Sequence, residues 1–215
     1  MRDALILAFD TSAAHCAAAL LSGDRILAAC SEPMEKGQAE RLMPLLEAVL
    51  AAGGVGWRDL AAIGVGVGPG NFTGTRISVA AARGLALALG TPALGINAFE
   101  ALAVGLGPVL ATVDARRGMH YLGAPGEAPV MVEDLPERFR GCGLDVVGAQ
   151  ALRFAAVTGG RALEPAYPVA VAIARVAASR LEASRLGTVQ PRPAPLYLRS
   201  ADAAPSSDPP PVILP

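Results

Sequence analysis

Three short stretches of this 215-residue chain carry residue types that do chemistry. The first is Asp10-Thr11-Ser12, a carboxylate and two hydroxyls where an apolar run ends. The second is Gly64-Val65-Gly66-Val67-Gly68-Pro69-Gly70-Asn71-Phe72-Thr73-Gly74. It delivers an apolar run into a Gly-Pro-Gly turn, and Asn71 or Thr73 can cap a helix after it. Free backbone N–H groups at a helix start bind anions, so Gly68 and Gly70 are candidates for an anion loop. The same glycines suit a tight strand-to-helix turn with close backbone packing equally well. The third stretch is Asp114-Ala115-Arg116-Arg117-Gly118, a carboxylate followed by two bulky cations.

The exclusions are sharper. A P-loop ends in Gly-Lys-Ser/Thr, and the glycine stretch holds no lysine. The dinucleotide fingerprint G-x-G-x-x-G fails because the third position after Gly68 and Gly70 is Thr73. No G-x-S-x-G elbow and no H-E-x-x-H pair occur, which argues against hydrolases of those types. His15 and His120 are the only histidines and lie far apart, so no metal-ligand spacing exists and no metal or other cofactor is expected.

Composition sets the background. Hydrophobic residues make up 53% and charged residues 17%, a globular balance. Aromatics are only 4%, so the core must be built from Ala, Val and Leu. Eighteen basic against nineteen acidic side chains leave a net charge of −1. Phosphate contacts dominate nucleic-acid affinity, so this balance argues that any RNA role needs a partner. Cys16, Cys30 and Cys142 form no CxxC; buried free thiols in a reducing cytoplasm are expected. The apolar run Ala4 to Phe9 is too short for a signal peptide, and no segment reads as a membrane span.

The elements that must position these residues emerge from periodicity. Strands are expected at 4–10, 16–21 and 25–30, a meander with turns at Ser12 and Ser22-Gly23-Asp24. Gln38 to Ala52 reads as a helix, with Leu42, Leu45, Leu46 and Val49 on one face, Pro44 as an interruption and Gly53 as the C-terminal cap. A strand at 63–67, a helix at 73–89 closed by Gly90 and a strand at 92–96 complete a first α/β lobe, residues 1–107. A smaller second lobe, 108–200, has strands at 108–114, 120–123 and 145–148 and a helix at 169–183. The stretch 201–215 is proline-rich and reads as a disordered tail.

On the second helix Arg76, Ala80, Arg83 and Leu87 fall at i, i+4, i+7 and i+11, one stripe along its surface. Small residues allow another helix to approach and arginine is enriched at interfaces, so this stripe reads as a partner face. A wholly buried core helix is the competing reading.

Gly68-Pro69-Gly70-Asn71-Phe72-Thr73-Gly74-Thr75-Arg76 resembles the GPGSFTG-x-R signature of the TsaB family, with Asn71 for the usual Ser. Leu7-Ala8-Phe9-Asp10-Thr11-Ser12, Glu40-Arg41-Leu42-Met43-Pro44, Asp114-Ala115-Arg116-Arg117-Gly118 and Pro195-Leu196-Tyr197-Leu198-Arg199 match its other motifs in order. The resemblance covers nearly the whole chain and is weakest between 124 and 190.

That resemblance implies an α/β actin/Hsp70/sugar-kinase fold of two small related lobes. It implies a cytoplasmic, non-catalytic subunit that pairs with the paralogue TsaD, with the ATPase TsaE in the larger complex, to make threonylcarbamoyladenosine in tRNA. Pairing would run through the helices over 38–52 and 73–89, giving Arg41, Leu42, Arg76, Ala80, Arg83 and Leu87 as interface residues, with a homodimer as the alternative use of the same face. Contact with tRNA would be indirect. Where TsaD carries the metal-binding N-H-L-E-G-H, this chain has Asn97-Ala98-Phe99-Glu100-Ala101-Leu102, whose Ala98 and Leu102 cannot ligate a metal. Kinases of this fold hold nucleotide phosphates at two loops. The first would fall at Asp10-Thr11-Ser12, which lacks a glycine, and the second after Asp114, where arginines follow. The adenosine-side glycine pair is reduced to Gly148-Ala149, so Asp10, Thr11 and Ser12 with Gly68 and Gly70 read as a vestigial nucleotide or anion loop. An ATP-dependent small-molecule kinase of the same fold is the alternative function.

Overall fold

The computed structural model describes residues 3–198; the expected tail at 201–215 lies outside them. The chain opens with β1 (Leu5–Asp10), β2 (His15–Ser22) and β3 (Arg25–Pro33), the expected meander, and continues into α1 (Gln38–Ala52). Pro44 sits inside α1 on its exposed face, so the helix gives up one backbone bond in the second turn and continues. Its end is a Schellman closure. Val55 N–H reaches the Leu50 carbonyl at 3.1 Å and Gly54 N–H reaches Ala51 at 3.1 Å. Gly54 rather than Gly53 takes the left-handed conformation (φ 69°).

Next come β4 (Ala62–Gly66), α2 (Phe72–Leu89), β5 (Ala93–Ile96) and a short α3 (Ala98–Ala103). The second half holds β6 (Val109–Asp114), β7 (His120–Gly123), β8 (Val130–Val132), β9 (Asp145–Gly148), α4 (Ala151–Thr158), β10 (Ala162–Leu163) and α5 (Val169–Arg185). The sheets have the orders β3-β2-β1-β4-β5 and β8-β7-β6-β9-β10. In each, an antiparallel meander is joined to two parallel strands on the other side of the central strand. The halves are two copies of one topology, the arrangement of the actin, Hsp70 and sugar-kinase fold.

Two helices pack across the division at 107/108. α5 comes after the second sheet in sequence yet buries Ala172, Ile173, Ala174, Ala177 and Leu181 against Ile6, Ala8, Leu94 and Ile96 of the first. Gly64 makes room for it: a Cβ there would lie 3.0 Å from the Ala177 methyl and 3.2 Å from Ala8. Conversely α3 sends Phe99 into the second lobe beside Val109, Ala111 and Tyr121. It lies so close to β7 that a Cβ on Gly123 would meet its ring at 2.5 Å. Each repeat ends in a helix that covers the other repeat's sheet.

The opposite face of the first sheet carries α1 and α2. Leu42, Leu45, Leu46 and Val49 pack with Leu7, Phe9, Leu20, Ile63, Val65, Val79 and Ala82. Of the three cysteines only Cys16 is buried; Cys30 and Cys142 are exposed, because β3 is an edge strand and Cys142 lies just after a surface turn.

Candidate functional site: the glycine clasp, the cleft and the exposed helix face

The glycine stretch and the Asp10-Thr11-Ser12 turn are pressed together. A Cβ on Gly74 would stand 1.9 Å from the Thr11 carbonyl oxygen, and one on Gly70 would stand 2.4 Å from that of Ser12. Asn71 N–H donates to the Ser12 carbonyl at 2.6 Å. Thr11 Oγ1 donates to the Gly74 carbonyl at 2.7 Å and lies 2.6 Å from Ser78 Oγ, while Thr11 N–H donates to Ser78 Oγ at 2.9 Å. Asn71, not Thr73, caps α2: its Oδ1 accepts from Thr73 N–H at 3.0 Å and Gly74 N–H at 3.1 Å. The glycines therefore serve backbone-to-backbone contact, and these helix-start donors are occupied from within the chain.

Asp10 is 2% exposed, and its Oδ2 carries three contacts. Ser12 N–H donates at 3.0 Å, Ser12 Oγ at 2.9 Å, and His15 Nε2 lies at 2.8 Å. Serine, histidine and aspartate meet here, but both partners point at one carboxylate oxygen rather than at each other. That geometry clamps a turn; it does not hand a serine proton to a histidine.

In the second lobe Asp114 is exposed, and its Oδ1 accepts from Arg116 N–H at 2.9 Å. Arg116 and Arg117 both take positive φ, 64° and 53°, in the β6–β7 turn. Gly148 fits because its position would put a Cβ 2.1 Å from the Thr112 carbonyl. Between the lobes lies a cleft of about 1790 Å³, lined among others by Asp10, Ser12, Asn71, Asp114, Arg116 and Gly148. Ala98 and Leu102 also line it, presenting methyl groups. Among the described residues no three His, Cys, Asp or Glu side chains gather as a metal site.

Around the corner from the cleft, α2 is two-faced. Gly74, Thr75, Ser78, Val79 and Ala82 are buried, while Arg76, Ala80, Arg83 and Leu87 are exposed, Leu87 at 87%. Ile77, Ala81 and Leu85 are partly buried against the core shared with α1. On α1 the placement differs from expectation. Leu42 is 1% exposed and belongs to the core, and its neighbour Met43 reaches the surface. Arg41 is turned toward β3 and grips Glu32 with two bonds of 2.7 and 2.6 Å. That pairing holds the Glu32 carboxyl below the usual carboxylate range.

Two features escape the sequence reading. Asn97 and Glu100 form a reciprocal capping box at α3, each side chain accepting the other's backbone N–H at 2.9 Å. The Asn-x-x-Glu spacing is its signature and is the signal that reveals the helix. The other is the strap after α5: Leu196 N–H donates to the Val67 carbonyl at 2.8 Å, and Leu196 packs into the cores of both lobes. Nothing in its proline-rich composition signals this.

Comparison with known proteins agrees with this architecture. The family model for TsaD, tRNA N6-adenosine threonylcarbamoyltransferase, matches residues 32–200. The tRNA threonylcarbamoyladenosine biosynthesis protein TsaB of Escherichia coli (strain K12) is 35% identical over 122 residues, 54% of this chain and 52% of that protein. TsaB of Bacillus subtilis (strain 168) is 36% identical over 122 residues, 55% and 53% of the two chains. The chain thus spans about half the length of the curated relatives it matches. A crystal structure from Pseudomonas aeruginosa, of a protein with similarity to the peptidase YeaZ, superposes with a TM-score of 0.71 at 28% identity, covering 91% of this chain and 100% of that one. With the family match running over most of its length, the chain belongs to the TsaD family of tRNA threonylcarbamoyladenosine proteins and is TsaB-like within it.

Proposed function

We propose that this chain is a non-catalytic, activating subunit for N6-threonylcarbamoylation of the adenosine 3′ to the anticodon of tRNA. In this reading it works in the cytoplasm, docks a TsaD-type catalytic subunit through α2 and the outer surface of α1, and meets TsaE and tRNA only within the larger assembly. The observation that carries it is α2: the helix buries one face in its own lobe and offers Ala80, Arg83 and Leu87 on the other, with Leu87 87% exposed. A leucine so exposed beside small residues is what a second helix would cover.

Two further observations support the absence of chemistry. Oδ2 of the buried Asp10 carboxylate, the group a kinase of this fold would use in the cleft, is held by Ser12 and His15. The positions that ligate metal in TsaD are the methyl-bearing Ala98 and Leu102. Both weigh against the small-molecule kinase reading.

The test is a titration of the TsaD-type paralogue from the same genome into fluorescently labelled protein, with the homodimer measured in parallel. Ala80→Trp and Arg83→Glu should weaken pairing tens-fold, the size of a central interface loss of about 2 kcal/mol, with unchanged melting temperatures. Wild-type affinity in both folded variants would remove α2 as the docking face, and kinase turnover by the chain alone would overturn the non-catalytic role.

A further inference from the structure

Phe72, Arg76 and Tyr197 form an exposed stack where α2 begins, at the mouth of the cleft. The Arg76 guanidinium carbon lies 3.7 Å from the centre of the Phe72 ring and 5.8 Å from that of Tyr197. The two rings are 5.4 Å apart, tilted by 36°, and each residue is 48% exposed. Arg76 Nε donates to the Tyr197 hydroxyl at 2.8 Å. Among the described residues neither Nη nitrogen makes a hydrogen bond or ion pair.

An exposed arginine ordinarily loses rotamer entropy when a partner fixes it. Here the loss has already occurred on folding. One face of the guanidinium is stacked and Nε is satisfied, so the edge between the two Nη nitrogens is left to bind. The clamp is itself anchored, because Tyr197 comes directly after Leu196, which is bonded to Val67 and packs, partly buried, against the cores of both lobes. A planar, pre-ordered pair of donors matches the two oxygens of a carboxylate.

We infer that Arg76 is a specificity-determining anchor that receives an Asp or Glu carboxylate of a partner protein across its Nη edge, and that Tyr197 is the residue that positions it. The inference rests on α2 being a docking face and names the chemistry the partner must bring there. Charge favours a protein over RNA. A phosphate chain needs a track of cations, whereas Arg138, Arg140, Arg153 and Arg161 of the second lobe are each paired with an acid of their own, which leaves Lys36 and Arg116 as scattered cations beside Arg76 in the cleft lining. Near Arg76 the same helix face continues as Ala80, Arg83 and Leu87, and an aromatic–arginine cluster beside apolar residues has the composition of an interface hot spot.

The experiment titrates the TsaD-type paralogue into the full chain at two salt concentrations. Arg76→Gln should weaken binding about tenfold and flatten its salt dependence, Arg76→Lys should recover the salt dependence but not the affinity, and Tyr197→Phe should cost a few-fold, all at unchanged melting temperature. If Arg76→Gln and Tyr197→Phe bind as wild type while Ala80→Trp does not, the anchor is refuted and the docking face stands. If Ala80→Trp and Arg83→Glu also bind normally, the docking face fails first and the anchor with it. A fluorescent single-stranded RNA 15-mer that binds the chain alone and is lost only in Arg76→Gln, with paralogue affinity unchanged, would make the stack a base platform and overturn the proposal.

Discussion

Asp10 and Asp114 close the central strands of two sheets with the same strand order, yet one is buried and the other faces solvent. The difference lies in the turn at the end of each strand. Asp10 turns back on Ser12 and His15, and the glycine stretch closes over that turn. Asp114 accepts one backbone N–H from the arginine turn and opens to the cleft. Asp10→Ala should therefore destabilise the protein by about 2 kcal/mol, because it strands the part-buried donors of Ser12 and His15 and empties a buried site. Asp114→Ala should cost about 0.5 kcal/mol, as for an exposed side chain. Urea midpoints of the two variants check the contrast, and equal losses would contradict the clamping role of Asp10.

The glycines of α2 separate by the same reasoning. Gly74→Ala would drive a Cβ into the Thr11 carbonyl at 1.9 Å and should cost on the order of 3–5 kcal/mol, or prevent folding. Gly84 has nothing within 4 Å of the added atom, so Gly84→Ala should stabilise by about 1 kcal/mol through helix propensity alone. Thermal melts distinguish these outcomes.

This pair also shows where sequence reasoning reaches and where it stops. Strands and helices with clear period-2 or 3.6 patterns are legible, as is the exposure of Ala80, Arg83 and Leu87, because one helix face is local information. Leu42 does not belong with the partner face, and its spacing to Leu45, Leu46 and Val49 is the local signal that puts it in the core. Sequence alone leaves Gly70 and Gly74 open between anion binding and packing, because their purpose depends on Thr11 and Ser12, some sixty residues away. The crossing of α3 and α5 is invisible for the same reason: an Ala-rich stripe fits any surface with a glycine in it, and only the fold says which.

Burial pushes the Cys16 thiol up to about 11 from its ordinary 9.0, with neighbouring Glu32 adding to the effect. The folded state thus holds this proton more tightly than the unfolded chain. The resulting stability is fully present below pH 9 and is lost as pH rises through 11. At pH 8 two thiols, the exposed Cys30 and Cys142, should react quickly with an aromatic disulfide reagent, and the third only with denaturant. Three fast thiols in native protein would show that β2 opens readily.

The crossing helices make the sharpest demand on the fold as a whole. A fragment ending at Gly107 keeps the first sheet, α1 and α2 but loses α5, and with it Ala172, Ile173, Ala174, Ala177 and Leu181. Ile6, Ala8, Leu94 and Ile96 would then face water on a continuous apolar surface, and α3 would lose the second sheet that receives Phe99. Each large apolar side chain so exposed forfeits about 1.5–3 kcal/mol, in sum comparable to the whole stability of a domain of this size. The fragment should be insoluble or lack near-ultraviolet circular dichroism. Co-expression with residues 108–198 should restore a folded, co-purifying pair, because the second piece brings α5 back to its groove. A soluble, cooperatively melting fragment 1–107 would mean that α5 is an accessory to the first lobe rather than half of its core.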